Sequence, residues 1–287
     1  MILIDTLVQG ILLGGLYALF ATGLSLVFGI MRLVNLAHGD LIVLAAYLIL
    51  TLATTFGLHP FVAVFIAAPV MFGLGWLLQT HLLNRVLGSD ILPPLLVTFG
   101  LSVVTQNILL AVYTADSRKL TAGAIESEAL HFGPVTLGVM PVLTLVSAII
   151  LIFVLNQLFY RTALGRAFRA TSDDTVTAQL MGIRPERIFA IATGIGLVVA
   201  TIAALYLGIR ANFDPSIGPA RLLYAFEAVI IGGLGSLWGT LAGGVVIGVA
   251  QALGAAVNPE WQILSGHIAF VIVLLLRPRG LFPRVND

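Results

Sequence analysis

The sequence predicts an all-α polytopic membrane protein of about eight transmembrane helices, with broken or re-entrant segments near 32–40 and 232–239. Three observations carry that reading. Of the 287 residues, 59% are hydrophobic and only 9% charged, with a mean hydropathy of +1.09, whereas a soluble domain carries about 25% charged residues. Apolar runs of roughly 20 residues, the length of a bilayer-spanning helix, recur from end to end. At two places polar or glycine-rich stretches interrupt the runs instead of ending them cleanly. The chain, 1–287, reads as a single transmembrane domain.

The first run, 3–28, carries Gly10, Gly14 and Gly15, small residues that let helices approach closely. It passes into FGIMRLVNLAHGD, which sets Arg32, Asn35, His38 and Asp40 ahead of the next run, 41–56. These segments are short for three spans and long for two, so a broken or re-entrant helix is expected. The same arithmetic leaves open the side on which the N-terminus lies. Run 61–78 follows, then a polar loop, 81–90, with Arg85. Run 91–112 holds Pro93, Pro94, Thr98, Ser102, Thr105, Gln106 and Asn107, so it faces protein or a pore rather than lipid. The loop 113–134 has more acid than base and is expected outside. Run 135–160 returns to the arginine-rich segment 161–187, with Arg161, Arg166, Arg169, Arg184 and Arg187 against Asp173, Asp174 and Glu186. Such a loop beside helix ends marks the cytoplasmic side. It also holds a helix signal: Thr171 as N-cap, Asp174 three residues on, Val176 and Leu180 on one face, Gly182 as stop and Pro185 opening the next helix. Beyond it come 188–209, the polar stretch 210–221, run 222–234, GGLGSLWG at 232–239, run 240–257, run 261–276 and a tail with Arg277, Arg279 and Arg284. Four crossings separate the arginine-rich segment from the tail, which puts both on one side. YALF at 17–20 and YAF at 224–226 form a faint internal echo, as in duplicated transporters.

The chemistry is sparse. A net charge of +1, from 14 basic and 13 acidic residues, gives no field for nucleic acid, and zero cysteines exclude disulfides and thiolate chemistry. MILID lacks the basic region of a signal peptide and is expected to start the mature protein. The chain's one lysine, Lys119, follows no glycine run, so there is no P-loop and no ATP site of that kind. His38, Asp40 and Glu227 are the candidates for a proton relay in an ion-coupled carrier or channel; the alternative role is as hydrogen-bonded partners at helix breaks. His59, His81, His131 and His267 lack metal-ligand spacing and read as packing or interface residues. No grouping suits hydrolysis. The glycines at 232, 233, 235 and 239 permit unwound backbone or tight helix crossing.

Four stretches together resemble one family: GLYALFATGLSLVFGIMRLVNLAHGD at 15–40, VTFGLSVVTQN at 97–107, GRAFRATSDDTVTAQLMGI at 165–183 and AVIIGGLGSLWGTLAGGVVIG at 228–248. They are similar to the branched-chain amino acid ABC transporter permease family (LivH-type subunit), in order and over nearly the whole chain. The resemblance implies a non-enzymatic, multi-pass inner-membrane subunit with a cytoplasmic C-terminus. Its partners are a homologous second permease, two cytoplasmic ATP-binding subunits and a periplasmic substrate-binding protein, with lipid around it. No cofactor is bound by this chain, and ATP sits on the partners. A short helix near 173–181 is implied to enter an ATPase groove, with Gly165, Arg166, Ala178 and Gly182 on the matching motif and Arg169, Asp173, Asp174 and Met181 beside them. The broken segments are implied to line the path, with Asn35, His38, Asp40, Glu227, Gly232, Gly233 and Gly235 as its residues. Loop 113–134 is either a docking surface for the binding protein or a plain solvated loop. Related permeases carry urea, short amides and other amino acids, so the resemblance is weaker on substrate.

Overall fold

A computed structural model describes residues 2–88, 90–132 and 135–282, without the side chains of residues 2, 131, 132 and 135; the expectations for His131 and Arg284 lie outside it. The helices are α1 (Ile2–Met31), α2 (His38–Phe56), α3 (Pro60–His81), α4 (Leu92–Tyr113), α5 (Val139–Arg161), α6 (Ala163–Asp173), α7 (Thr175–Leu180), α8 (Pro185–Arg210), α9 (Gly218–Gly232), α10 (Leu237–Val257) and α11 (Trp261–Leu276). Among the described residues, seven helices are long and apolar enough to cross a bilayer, namely α1 to α5, α8 and α10, and α11 is a shorter apolar helix. The loop after α4 ends in an antiparallel hairpin, β1 (Ala129–Phe132) on β2 (Val135–Gly138), where the sequence reading had placed the start of a span.

Contacts at the helix ends fix the two faces. Gln9 donates to the Thr136 carbonyl, 2.7 Å, so the N-terminal end of α1 lies beside the hairpin. Ser172 donates to the Gly29 carbonyl, 2.7 Å, so the other end of α1 meets α6. The tail closes on that second face, where Leu281 N–H donates to the Ile231 carbonyl and Phe282 N–H to that of Gly232. The arginine-rich segment and the tail therefore share a face, as the crossing count requires, and the start of α1 lies on the opposite one.

Two segments turn back inside the slab. After Met31, residues 32–37 are non-helical, and His38 then meets the Phe20 carbonyl at 2.9 Å. Phe20 lies 11 positions before Met31, so the linker climbs back about 16 Å at 1.5 Å per residue. After Arg210, residues 211–217 do the same from the opposite face and deliver Gly218 against Gly39 and Asp40. The first break is thus confined to 32–37, with His38 and Asp40 already in the first turn of α2. Part of the polar stretch 210–221 is helical, and α9 is a half-span of 15 residues.

The directions make α1–α4 and α8–α11 inverted copies. Each begins with a long helix, turns back, and restarts as a helix deep in the slab. The packing obeys the same relation: α1 runs along α10, and its counterpart α8 runs along α3. Glycines permit both contacts. A Cβ on Gly14 would sit 2.5 Å from Val245 Cα, and one on Gly75 would sit 3.0 Å from Gly194 Cα, closer than a side chain allows. The YALF and YAF echo does not follow this symmetry, because Tyr17 is on α1 and Tyr224 on α9. They touch instead, with rings stacked at 4.9 Å.

The arginine-rich segment holds two helices where the sequence suggested one. Thr162 caps α6, its hydroxyl accepting from Gly165 N–H at 3.0 Å. Thr171 lies buried inside α6 and caps nothing. Asp174 is the cap of α7, accepting from Val176 N–H at 2.9 Å and Thr177 N–H at 3.1 Å. With Thr171 buried in α6, the free amides of α7's first turn fall to Asp174, whose Oδ1 accepts two of them.

Candidate functional site

At the centre of the slab the two re-entrant turns meet, built on the same local chemistry. Asn35 Oδ1 accepts from Ala37 N–H at 3.0 Å, and Asp214 Oδ1 accepts from Ser216 N–H at 2.8 Å. Each is a side chain that closes a turn on its own following backbone. Four residues after each comes a glycine, Gly39 and Gly218. Lacking side chains, these let the N-terminal ends of α2 and α9 press together: a Cβ on Gly39 would overlap the Gly218 carbonyl oxygen, and one on Gly218 would overlap the Asp40 carboxylate. The repeat Asn-x-x-x-Gly and Asp-x-x-x-Gly stands in the sequence at an offset of 179 positions, with Gly29-Ile30 matched by Gly208-Ile209 just ahead of it, a few scattered residues that carry little weight in so apolar a chain.

Asn35, His38, Asp40 and Glu227 are all buried, between 1% and 4% exposed, and all are held. Ser102 of α4 donates to Asp40 Oδ2 at 2.5 Å. His267 of α11 meets Glu227 at 2.5 Å between Nδ1 and Oε1. In each repeat, then, a carboxylate on the half-helix is tied to the repeat's last helix. Among the described residues, the second oxygens, Asp40 Oδ1 and Glu227 Oε2, have no hydrogen-bond partner. His267, a packing or interface residue by its sequence context, is the one histidine that partners an acid among the described residues.

The glycine break is narrower than 232–239. Residues 233–236 leave the helix, with Gly233 at φ +103° and Gly235 at φ +80°, both in the left-handed region that favours glycine. Gly232 packs directly on the Gly239 carbonyl, and Gly235 Cα lies 3.0 Å from where a Cβ of Gly29 would be. Gly232, Gly233 and Gly235 therefore form a joint between α9, α10 and the end of α1 on the arginine-rich face.

On that face, Gly165 lets α6 turn tightly under α5, where a Cβ would overlap the carbonyls of Leu158 and Phe159. Arg169 donates to the Phe159 carbonyl, and Arg166 is exposed. Asp173 is the last residue of α6, followed by the cap Asp174. Ala178 is 3% exposed, whereas Val176, Leu180 and Met181 are 67%, 83% and 79% exposed. Gly182, at φ +83°, ends the helix as expected. An apolar tip this open on a charged surface is shaped to be covered. Across a cleft of ≈330 Å³ the start of α7, Thr175 and Val176, faces Arg32, which holds a left-handed φ of +53° at the start of the re-entrant linker.

The cap hydrogen bonds hold the Asp174 carboxyl below the usual carboxylate range, first through the Thr177 hydroxyl and then through the amides of Thr177 and Val176. A depressed folded value stabilises α7 above the ordinary carboxylate value and ceases to do so as pH falls through the depressed one. Hydrogen exchange at the Val176 and Thr177 amides is therefore expected to accelerate on acidification over that window. Asp174→Ala should show fast exchange at every pH; equal, pH-independent protection in both proteins would refute the cap.

Two helical repeats of opposite direction, broken helices meeting at mid-depth and an apolar tip on one face define a membrane permease. Residues 6–276 match the family described as branched-chain amino acid transport system, permease component, and the chain belongs to that family. It is 30% identical over 296 residues to the high-affinity branched-chain amino acid transport system permease protein BraD of Pseudomonas aeruginosa, covering 98% of this chain and 96% of BraD. It is 28% identical to LivH of Escherichia coli strain K12, covering 96% and 94%, and 25% identical to LivM of that strain, covering 93% and 68%. Among solved structures, PsaBC from Streptococcus pneumoniae in complex with Fab aligns with a TM-score of 0.50 and 15% identity, covering 96% of this chain and 92% of that one, a likeness of fold alone.

Proposed function

We propose that this chain is the membrane conduit of an ABC importer for branched-chain or closely related amino acids, driven by ATP-binding subunits on its arginine-rich face. The observation that carries this reading is the capped helix α7, which offers Val176, Leu180 and Met181 to a partner and abuts the linker to the half-helices. The arginine-rich face is the cytoplasmic one by its excess of Arg32, Arg85, Arg161, Arg166, Arg169, Arg184, Arg187, Arg277 and Arg279. The C-terminus then lies in the cytoplasm and the start of α1 outside the inner membrane. The hairpin and loop on the outer face offer the docking surface for a periplasmic binding protein. Likeness to both LivH and LivM supports pairing with a homologous second permease.

In this reading, closure of two ATPases moves α6–α7. Ser172 carries the motion to the end of α1, and the linker carries it to α2. Asn35, His38, Asp40 and Glu227 act as gate residues that hold the half-helices to α1, α4 and α11, and Gly232, Gly233 and Gly235 form the inner joint. The chain hydrolyses nothing and binds no cofactor of its own. The rival, a stand-alone carrier using His38, Asp40 and Glu227, is disfavoured because each of these side chains already has an internal partner. Vesicles holding the chain with its second permease and ATPases are expected to accumulate leucine only with ATP inside and binding protein outside. Accumulation by the purified chain alone, against a gradient, would overturn the proposal.

A further inference from the structure

A cavity of ≈740 Å³ opens on the arginine-rich face, away from the crossing of α2 and α9. Its walls come from α1, α5, α6, the glycine joint and the start of α10, so its contents touch α6 and the end of α1, two of the elements that coupling has to move. The chemistry of the walls divides in two. Arg169 and Asp173 lie four residues apart on α6, neighbours on one helix face at about 6 Å, yet among the described residues they form no ion pair with each other. Arg169 is fixed from behind by the Phe159 carbonyl and by the Tyr160 ring, 5.2 Å from its guanidinium carbon. Its position therefore needs no carboxylate, and its charge is unmet. The Asp173 side chain makes no hydrogen bond among the described residues, although that of its neighbour Asp174 makes three. Deeper in, Ser25 is fully buried, and among the described residues its Oγ has no hydrogen-bond partner. Asn156 adds a side-chain amide to the lining, while Tyr160 and Trp238 supply aromatic surface.

We propose that this cavity is an inward-facing site for an apolar α-amino acid, through which imported product slows further import. The carboxylate of such a zwitterion meets Arg169 and the Asn156 amide, its ammonium meets Asp173, and its aliphatic side chain lies against Tyr160 and Trp238. A molecule bridging α1, α5, α6 and α10 binds this arrangement better than one in which α6 has moved. It thereby opposes the motion by its differential affinity for the two states. The inference rests on the reading of the chain as an amino acid importer, and it adds a second site and a direction of control.

The test uses the assembled complex of this chain, its second permease and the ATPases, with leucine as the probe. In equilibrium dialysis without binding protein, labelled leucine is expected to bind saturably. Asn156→Leu and Trp238→Ala should each weaken that binding about tenfold or more, the loss from one polar or aromatic partner. No saturable binding, or binding unchanged in both variants, overturns the site. Phosphatidylethanolamine carries the same pairing of ammonium with anion; if it copurifies with the complex and leucine fails to displace it, the cavity is a lipid site and the proposal fails. In vesicles, leucine preloaded on the arginine-rich face should lower the initial rate of ATP-driven uptake in the wild type and much less in Asn156→Leu. Normal uptake that internal leucine does not slow removes this inference and leaves the importer reading standing. Absence of ATP-driven uptake for every amino acid removes the importer reading, and the dialysis arm still decides the cavity.

Discussion

Ala178→Pro is expected to leave the chain inserted and assembled with its partners while abolishing the coupling of ATP hydrolysis to uptake. The helix α7 has six residues, and Ala178 N–H donates to the Asp174 carbonyl at 3.0 Å. Proline removes that donor and collides with the preceding turn, at a cost of about 3 kcal/mol or more, roughly a hundredfold in the population of folded α7. So short a helix has no further turns to absorb the loss. Its apolar tip, Val176, Leu180 and Met181, would lose its shape without any spanning helix being touched. The measurement is ATP hydrolysis by the reconstituted complex, with and without loaded binding protein, alongside size-exclusion of the complex. Stimulation is expected to vanish while the complex elutes intact. Full stimulation in Ala178→Pro would remove α7 from the coupling route. Gln179→Ala, an exposed neighbour, is the control that should stimulate normally.

Most of the architecture was legible in the residues, for a physical reason. A bilayer demands long apolar helices, so hydropathy reports them directly, and the interruptions at 32–40 and 232–239 marked two places where helix gives way, whereas the re-entrant turn at 211–217 read as a plain polar stretch. Gly182 and Pro185 announced the end of α7 and the start of α8 by backbone preference alone. What stayed hidden depends on tertiary proximity. Thr171 and Asp174 are both sound cap residues, and only the burial of Thr171 in α6 decides between them. Ser102 and His267 look like ordinary polar residues in apolar runs until the fold brings them to Asp40 and Glu227. The inverted repeat was faint because its two halves share geometry and only scattered residues, such as Gly29-Ile30 with Gly208-Ile209 and Gly39 with Gly218. Asn35 and Asp214 perform one task with two residue types, and the apparent echo at Tyr17 and Tyr224 joins positions that the symmetry does not relate. Arg169 and Asp173 were read as part of a surface loop, since nothing in their spacing reveals a cavity behind them.

The crossing of the half-helices gives the sharpest test of that symmetry. Gly39→Ala is expected to reduce ATP-driven uptake at least tenfold and to lower the thermal stability of the purified protein, with Gly218→Ala matching it in both. The added methyl meets backbone on either side: Gly39 faces the Gly218 carbonyl and, at 2.9 Å, the Leu222 amide nitrogen, and Gly218 faces Asp40 Cα, also at 2.9 Å. Backbone at the start of two helices cannot swing aside as a flexible side chain does, so the cost falls at the upper end of the about 1–3 kcal/mol typical of overpacking. Relief requires the half-helices to separate, which strains the Asp40–Ser102 bond on one side and the Glu227–His267 pair on the other. A helical glycine of ordinary φ with open space around it isolates this effect from helix propensity. Gly73 on α3 is such a position, with nothing within 4 Å of an added Cβ, and Gly73→Ala should be neutral or slightly stabilising. If Gly39→Ala transports as Gly73→Ala does, the two turns do not bear on each other in the working protein. If Gly39→Ala fails and Gly218→Ala does not, the contact exists but the halves are not equivalent, and the route from α7 to the gate runs through the first repeat alone.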